Sequence, residues 1–121
     1  MASSDLNSKG TRGNPPLAAY RGKHVARSHP MIAFDGAEVM AADGSFVTAN
    51  QGSLVVAFAG SMVTATIGSM VRGKSGSSII AKFGSQVVAE TGCYVTAMPG
   101  SIVWVHRGVF LIDKGAIIYR L

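Results

Sequence analysis

Small and apolar residues return every eight positions along most of this chain. From Gly36 onward, ten consecutive octads open with glycine, and the fourth position of each is Val, Ile or Leu. The second position is Ser in seven of the ten octads, and the sixth position is Ala in seven. The consensus is therefore Gly-Ser-x-Val-x-Ala-x-x. A weaker octad covers residues 28–35, and a partial one covers residues 116–121.

Each octad carries the pattern of a strand followed by a turn. The constant residues at positions two, four and six alternate with variable residues at positions three and five. This alternation has the period of a β-strand, whereas a helix would bring apolar residues back after three or four positions. Val favours a pleated surface, and the glycine at position one suits a tight turn.

Stacking of these octads predicts an all-β fold, a β-solenoid or β-helix. Coils that stack at roughly 4.8 Å pair the backbone N–H and C=O groups of each coil with those of the next. The small, constant residues are expected inside, because an inner residue must match the residues stacked above and below it. Two octads per coil would give a flattened, two-sided solenoid, and three would give a triangular prism. The pattern leaves both cross-sections and the handedness open.

Three segments follow from where the repeat holds. Residues 28–115 are expected to form the solenoid. Residues 116–121 are expected to form a C-terminal cap strand, because Asp113 breaks the pattern before them. Residues 1–27 lack the repeat and are expected to form a mostly irregular, flexible or extended N-terminal arm.

The outward positions three and five carry mostly apolar side chains. If a coil contains two octads, one face has no charged residue, and the opposite face is interrupted by Glu38, Arg72 and Arg120. Monomeric soluble proteins rarely expose a contiguous apolar patch larger than roughly a few hundred Å². The pattern therefore predicts a homo-oligomer, or another protein that covers one face. The candidate interface residues are Phe46, Thr48, Met62, Thr64, Ile80, Tyr94, Thr96, Phe110, Ile112 and Trp104.

Two alternatives to an interface remain open for these positions. Position three or five would face inward if some sides enclosed a wider core, or residues 1–35 would fold back over one face. Self-association is favoured because burying a Val contributes about 1.5–3 kcal/mol and burying an Ala less. A core of Ser, Val and Ala therefore buries little apolar surface, and an interface would bury more.

The net charge of +5 belongs mainly to the N-terminal arm. Clustered basic residues contact phosphates or acidic partners, so a nucleic acid or an acidic protein is one hypothesis for the arm. A solubilising tail is the other, and it is favoured because no recognised nucleic-acid-binding fold accompanies the charge. The basic residues of the arm are Lys9, Arg12, Arg21, Lys23 and Arg27.

The sequence predicts no catalytic, metal or cofactor site. His24, His29 and His106 lack the paired spacing of a zinc site. Cys93 is the only cysteine, which excludes an intrachain disulfide, and it stands at position two, where a small core residue is expected. No carboxylate pair and no nucleophile with an adjacent base can be assigned. We therefore expect a non-enzymatic protein without a cofactor.

The chain contains no apolar run of the length that a signal peptide or a membrane span requires. The expectation is a soluble protein without a membrane partner, cytoplasmic or associated with a virion.

The repeat resembles that of the octapeptide-repeat β-helix proteins of bacteria and their phages. A weaker resemblance connects it with the intertwined β-helices in the spikes of phage tails and type VI secretion systems, where octads carry Val followed two residues later by Gly. Only Val71-Arg72-Gly73 fits that second pattern. Both resemblances imply a structural or interaction role and no active site.

Three functions are compatible with this pattern. The preferred one is a structural or adaptor protein that self-associates through an apolar sheet face, such as a decoration, fibre or spike component of a phage. The alternative is a binding or inhibitor protein, encoded by a phage or a bacterium, that presents the face to a host protein. An ice-binding protein, with a ladder of Thr48, Thr64 and Thr96, is less favoured because large aromatic residues flank that ladder.

Overall fold

Two parallel sheets make up the described part of the chain. The computed structural model describes residues 17–19, 21–27 and 30–121. These residues form fourteen strands and no helix. This arrangement confirms the predicted all-β solenoid. The first sheet consists, in spatial order, of strands Leu17–Ala19, Pro30–Ala33, Phe46–Ala49, Met62–Ala65, Ser78–Ala81, Tyr94–Ala97 and Phe110–Asp113. The second sheet consists of strands Gly22–Ala26, Ala37–Ala41, Leu54–Ala57, Met70–Gly73, Gln86–Ala89, Ile102–Val105 and Ile117–Arg120.

Each octad strand pairs in parallel with the strand two octads later. In the first sheet Phe46 lies beside Met62, and Met62 lies beside Ser78. In the second sheet Leu54 lies beside Met70 in the same register. One coil therefore contains two octads, and the cross-section is the flattened, two-sided one. The triangular prism is excluded.

The turn between the sheets accounts for the Gly and Ser of the consensus. In the turn from Asn50 to Ser53, the Ser53 N–H donates to the Asn50 carbonyl at 3.0 Å, and the Ser53 hydroxyl donates to the same carbonyl at 2.6 Å. Gly52 has a φ of 80°, a backbone conformation that other residues rarely adopt. A Cβ atom at Gly52 would also overlap the side chain of Asp35 in the preceding coil. Glycine is thus required both by φ and by the close approach of the coils.

Octad positions two, four and six point inward, as the pattern predicted. Ser45, Val55 and Ala57 have no exposed surface, whereas Phe46 at position three is 51% exposed. The seven Ser hydroxyls that are buried in the described part of the chain each donate to a turn carbonyl three residues earlier. The polar atoms of this thin core are therefore hydrogen-bonded rather than stranded in an apolar interior.

Three departures from the consensus compensate one another in the interior. Gly73 stands where Ala is usual, Ile79 where Val is usual, and Cys93 where Ser is usual. A Cβ atom at Gly73 would overlap Ile79 Cδ1 and would lie 2.6 Å from Cys93 Sγ. The larger Ile79 and Cys93 side chains therefore fill the volume that an Ala methyl group fills in other coils. Local packing thus explains the glycine of the Val-Arg-Gly segment.

The solenoid extends further towards the N-terminus than the boundary expected at residue 28. Strands Leu17–Ala19 and Gly22–Ala26 each pair with the strand of the following coil. Ala19 and Ala26 are buried at the register of the sixth octad position. The end of the predicted arm is therefore the first coil of the solenoid, because its alanines fit the same interior.

The final coil closes through a shortened turn. The Asp113 Oδ1 atom accepts hydrogen bonds from the N–H groups of Gly115 and Ala116, both at 2.9 Å. This side-chain oxygen takes the place of the backbone carbonyl that accepts the hydrogen bond in the standard turn. Strand Ile117–Arg120 then pairs with Ile102–Val105 and continues the second sheet.

We predict that Gly73→Ala destabilises the fold, by about 1–3 kcal/mol, because the added methyl group overpacks the interior. At an unconstrained site the same change would stabilise a protein by about 0.4–1 kcal/mol through the unfolded chain. The triple variant Gly73→Ala/Ile79→Val/Cys93→Ser restores the consensus and is expected to recover most of the loss. Urea unfolding followed by circular dichroism measures both. A stabilising Gly73→Ala would contradict the packing described above.

We further predict that Val63→Asp abolishes folding, with a loss of more than about 4 kcal/mol, because it buries an unpaired charge. Val63 is 2% exposed. The matched control is Met70→Asp, since Met70 is 51% exposed on the opposite sheet. Thermal unfolding by circular dichroism should show a cooperative transition for the control only. A cooperative transition in Val63→Asp would show that the fourth position is not interior.

Candidate functional site

The outward side chains of the first sheet form two uncharged columns, and we call this surface the first face. Neighbours within each column are set by the parallel register of the strands. The structure places nine of the ten candidate interface residues here, all except Trp104. The third-position column is Pro30, Phe46, Met62, Ser78, Tyr94 and Phe110. The fifth-position column is Ala18, Ile32, Thr48, Thr64, Ile80, Thr96 and Ile112.

A groove of about 470 Å³ runs between these columns. Its floor is made by fourth-position residues such as Val63, Ile79 and Val95. The wall on the third-position side changes height abruptly, because Ser78 stands between the much larger Met62 and Tyr94. We call this gap in the wall the Ser78 notch.

Large apolar side chains stand exposed on both sides of the notch. Tyr94 and Phe110 stack with ring centroids 4.7 Å apart and an interplanar angle of 13°. Such a pair contributes about 0.5–1.5 kcal/mol beyond area burial, and the coil spacing holds the two rings in this arrangement. Even so, Tyr94 remains 51% exposed and Phe110 58% exposed. The first face is therefore an ordered apolar surface.

The outward surface of the second sheet, which we call the second face, carries charge. Lys23 lies beside Glu38 in the register of the first coils, and Arg72 lies further along the sheet. The expectation that Arg120 also interrupts this face is wrong, because the shortened last coil puts Tyr119 at the outward position instead. Trp104 belongs to the second face, where its ring stacks on Tyr119 at 5.7 Å.

The two turn edges of the solenoid differ in their eighth-position residues. Turns that leave the first sheet form the first edge, and turns that leave the second sheet form the second edge. Phe83 is 67% exposed and Ile67 56% exposed on the first edge. Ile67, Phe83 and Pro99 form what we call the Phe83 ridge. The eighth-position residues of the first edge are Arg21, Asp35, Gln51, Ile67, Phe83 and Pro99. Those of the second edge are Asp43, Ala59, Ser75, Thr91 and Arg107.

Sequence reasoning missed the Phe83 ridge. The residues at position eight vary from octad to octad, so no consensus marks them. Only the two-octad coil reveals that alternate octads share an edge. Once that is known, Ile67, Phe83 and Pro99 fall together on the first edge, after its polar residues, whereas the eighth-position residues of the second edge are small or polar.

The basic residues of the predicted arm do not converge where the structure describes them. Arg21 lies on the first edge, Lys23 faces outward from the second sheet, and Arg27 follows the far end of the same strand. Lys9 and Arg12 lie outside the described residues. A phosphate-binding or acidic-partner role for this set remains a prediction.

The chemistry of the described side chains is limited. Over the described ranges, no group of three or more His, Cys, Asp or Glu side chains is arranged to hold a metal ion. The buried Cys93 lies with its Sγ atom 3.3 Å from the Ser77 hydroxyl. Burial raises the pKa of the Cys93 thiol, and the nearby Glu90 charge adds to this rise. A protonated, enclosed thiol is a poor nucleophile.

None of the residues that the structure places belongs to a helix with the length and apolar character needed to cross a bilayer.

We predict that Cys93 does not react with Ellman's reagent in the folded protein and reacts fully in urea. Its folded-state pKa lies above the unfolded value of about 8.5. The stability contributed by the neutral thiol is therefore complete below about pH 8. It falls by up to about 1.4 kcal/mol per pH unit above that, until pH passes the folded pKa.

Urea titrations of the wild type and Cys93→Ser across this pH range isolate the thiol contribution as the difference between the two slopes. Equal slopes for the two chains, or rapid labelling of the folded protein, would contradict the burial of Cys93.

No protein-family model, no curated protein and no solved structure matches this chain. The resemblance to octapeptide-repeat β-helix proteins therefore stays a prediction.

Proposed function

We propose that this protein is a non-enzymatic structural or adaptor solenoid that self-associates through its first face. The observation that carries the proposal is the distribution of side-chain size. None of the aromatic side chains that the structure describes is buried, whereas the interior consists almost entirely of Ser, Val and Ala. The apolar side chains with most to gain from burial are thus outside.

The first face fits this role better than the second face. Its two columns contain no charged side chain, so a partner can cover them without desolvating an ion. On the second face, Lys23, Glu38 and Arg72 would each lose hydration on burial. Desolvating such charges costs several kcal/mol unless they are well paired. Self-association through the first face therefore has a lower desolvation cost than association through the second face.

Self-association also adds burial of apolar side chains, of which the interior provides little. Buried Val side chains contribute about 1.5–3 kcal/mol each, and Ala side chains contribute less. Covering Phe46, Tyr94 and Phe110, each more than half exposed, adds burial of the largest apolar groups. The same resemblance to phage and bacterial β-helices supports a rigid structural component, such as a decoration, fibre or spike part of a phage particle.

We predict that Phe46→Ser/Tyr94→Ser lowers the assembly mass measured by light scattering with size exclusion, while circular dichroism stays strand-like. Both side chains point outward, so their loss removes interface area and leaves the interior unchanged. The matched control is Leu54→Ser/Met70→Ser, which removes two exposed apolar side chains from the second face. The control is expected to keep the wild-type mass.

Three results would count against self-association through this face. A wild-type chain that is monomeric at micromolar concentration overturns it, and so does a double variant that keeps its mass. An equal loss of mass in the control would move the interface away from the first face. A monomer that forms a complex only with a different protein would support the alternative of a binding or inhibitor protein.

A further inference from the structure

We propose that Asp113 and Arg120 act as an electrostatic stop, which keeps a further coil from stacking on the coil of residues 108–121. We call these residues the last coil. The coil that the stop excludes is the first coil of a second copy of this chain. The inference stands apart from the proposed function, because it concerns the end of the stack and not its faces.

The last coil presents an open edge of both sheets. Its strands, Phe110–Asp113 and Ile117–Arg120, each stand at the edge of a sheet in the described chain. In the coils before it, the glycine at position one donates its N–H to the glycine carbonyl of the next coil, as Gly92 does to Gly108 at 3.0 Å. The Gly108 N–H has no such acceptor within the described residues. An edge of this kind is a template on which another strand can pair.

The sixth octad position of the last coil departs from the inner pattern of the other coils. Asp113 lies in register with Ala97, which has no exposed surface, and Arg120 lies in register with Val105, which is 2% exposed. In all other described strands the residue at this inner position is Ala, Val or Gly. Asp113 and Arg120 are both exposed. One charged residue thus stands at the inner position of each sheet, and both belong to the same coil.

These two charges keep their water only while the edge stays open. A coil added in the same register would lay Ala19 of a second copy over Asp113 and Ala26 of that copy over Arg120. The alanine methyl groups offer neither a hydrogen bond nor an opposite charge. Burying an ion without a partner is strongly unfavourable. Stacking is therefore opposed, although it would continue the backbone ladder.

The two charges do not compensate each other. Asp113 and Arg120 belong to opposite sheets. The one ion pair among the described residues joins Lys74 Nζ to Glu90 Oε2 at 3.1 Å. A coil that covered the last coil would thus bury two separate ions. Inward-pointing charges of this kind are one of the means by which natural sheets protect an open edge.

The turn after Asp113 accounts for only one of the two residues. The Asp113 Oδ1 atom accepts hydrogen bonds from the N–H groups of Gly115 and Ala116, a task that the oxygen of a neutral Asn side chain would also perform. Arg120 takes part in no side-chain hydrogen bond or ion pair among the described residues. A charge at both positions is therefore explained by the open edge and not by the turn.

The fourth position of the last coil closes the end of the core. Leu111 lies in register with Val95, and Ile118 lies in register with Val103. Each has one carbon more than the Val beside it, and both pack against the buried cluster while partly exposed. The apolar end of the core is thus covered by larger side chains of the last coil itself. The adjacent charges then face water.

The test removes the two charges and keeps the turn. Asp113→Asn/Arg120→Ala retains a side-chain oxygen for the turn and leaves both inner positions neutral. This double variant is expected to associate end to end at a concentration at least about tenfold lower than the wild type, since burial of unpaired charge opposes the contact by more than that factor. Sedimentation velocity over a concentration series measures the shift. Electron microscopy should show unbranched filaments whose coils repeat at about 4.8 Å along the axis.

The matched control is Asp43→Asn/Arg72→Ala, which removes the same two kinds of charge from outward positions. Asp43 lies at position eight on the second edge and Arg72 lies on the second face, and both are exposed. The control is expected to form no filaments at the concentrations at which the double variant does. Filaments in the control would assign the effect to net charge and would overturn the stop.

Arg120→Ala alone is a second variant that leaves the turn at Asp113 untouched. One charge remains in it, so its association is expected to begin between the concentrations of the wild type and the double variant. Circular dichroism should be strand-like for all variants, because both replaced side chains are exposed. If the double variant fails to fold, Arg120→Ala decides the question, and the absence of a shift overturns the stop.

The outcomes separate this inference from the proposed function. Adding Phe46→Ser/Tyr94→Ser to the double variant should leave the filaments intact, because the first face and the edge of the last coil are different surfaces. A folded double variant that associates no more readily than the wild type overturns the stop and leaves self-association through the first face standing. Wild-type filaments with the coil spacing also overturn the stop. A monomeric wild type overturns only the proposed function and agrees with the stop.

Discussion

The constraint on which the whole molecule depends is the fixed spacing between stacked coils. Parallel strands lie about 4.8 Å apart, so each inward side chain touches the equivalent side chain of the coil above and the coil below. An interior of repeated Ser, Val and Ala satisfies this contact in every coil. The backbone then completes its hydrogen bonds through the same stack, as in the ladder from Gly44 to Gly60 and from Gly60 to Gly76, each bond 3.0 Å long.

That spacing also sends the large side chains outward. The interior between the two close sheets is filled by Ser, Val and Ala, and no ring of the described residues is buried in it. Aromatic residues therefore lie on faces and edges, where stacking keeps them ordered, as it does for Tyr94 and Phe110. The requirements of the core thus leave the large apolar side chains on an ordered exterior.

The sequence predicted the strands, the turns and the inner residues, because the same few residue types return at those positions in most octads. Octads per coil could not be predicted, since both cross-sections bury the same three positions. The first coil was missed because His24 stands beside Val39 at the fourth position, where the later octads carry an apolar residue. Arg120 was misplaced because the hydrogen bonds to Asp113 shorten the last turn, an effect that no repeat period reveals.

In a repetitive molecule the departures from the repeat carry the most information. Inside the core such departures come in sets that cancel, and Gly73 is offset by Ile79 and Cys93. Ser78 and Phe83 stand at outward positions where side-chain size varies from octad to octad, so the interior places no such requirement on them. A residue that departs from the repeat is therefore best interpreted together with the residues stacked above and below it, because the coil spacing makes them share one packed volume.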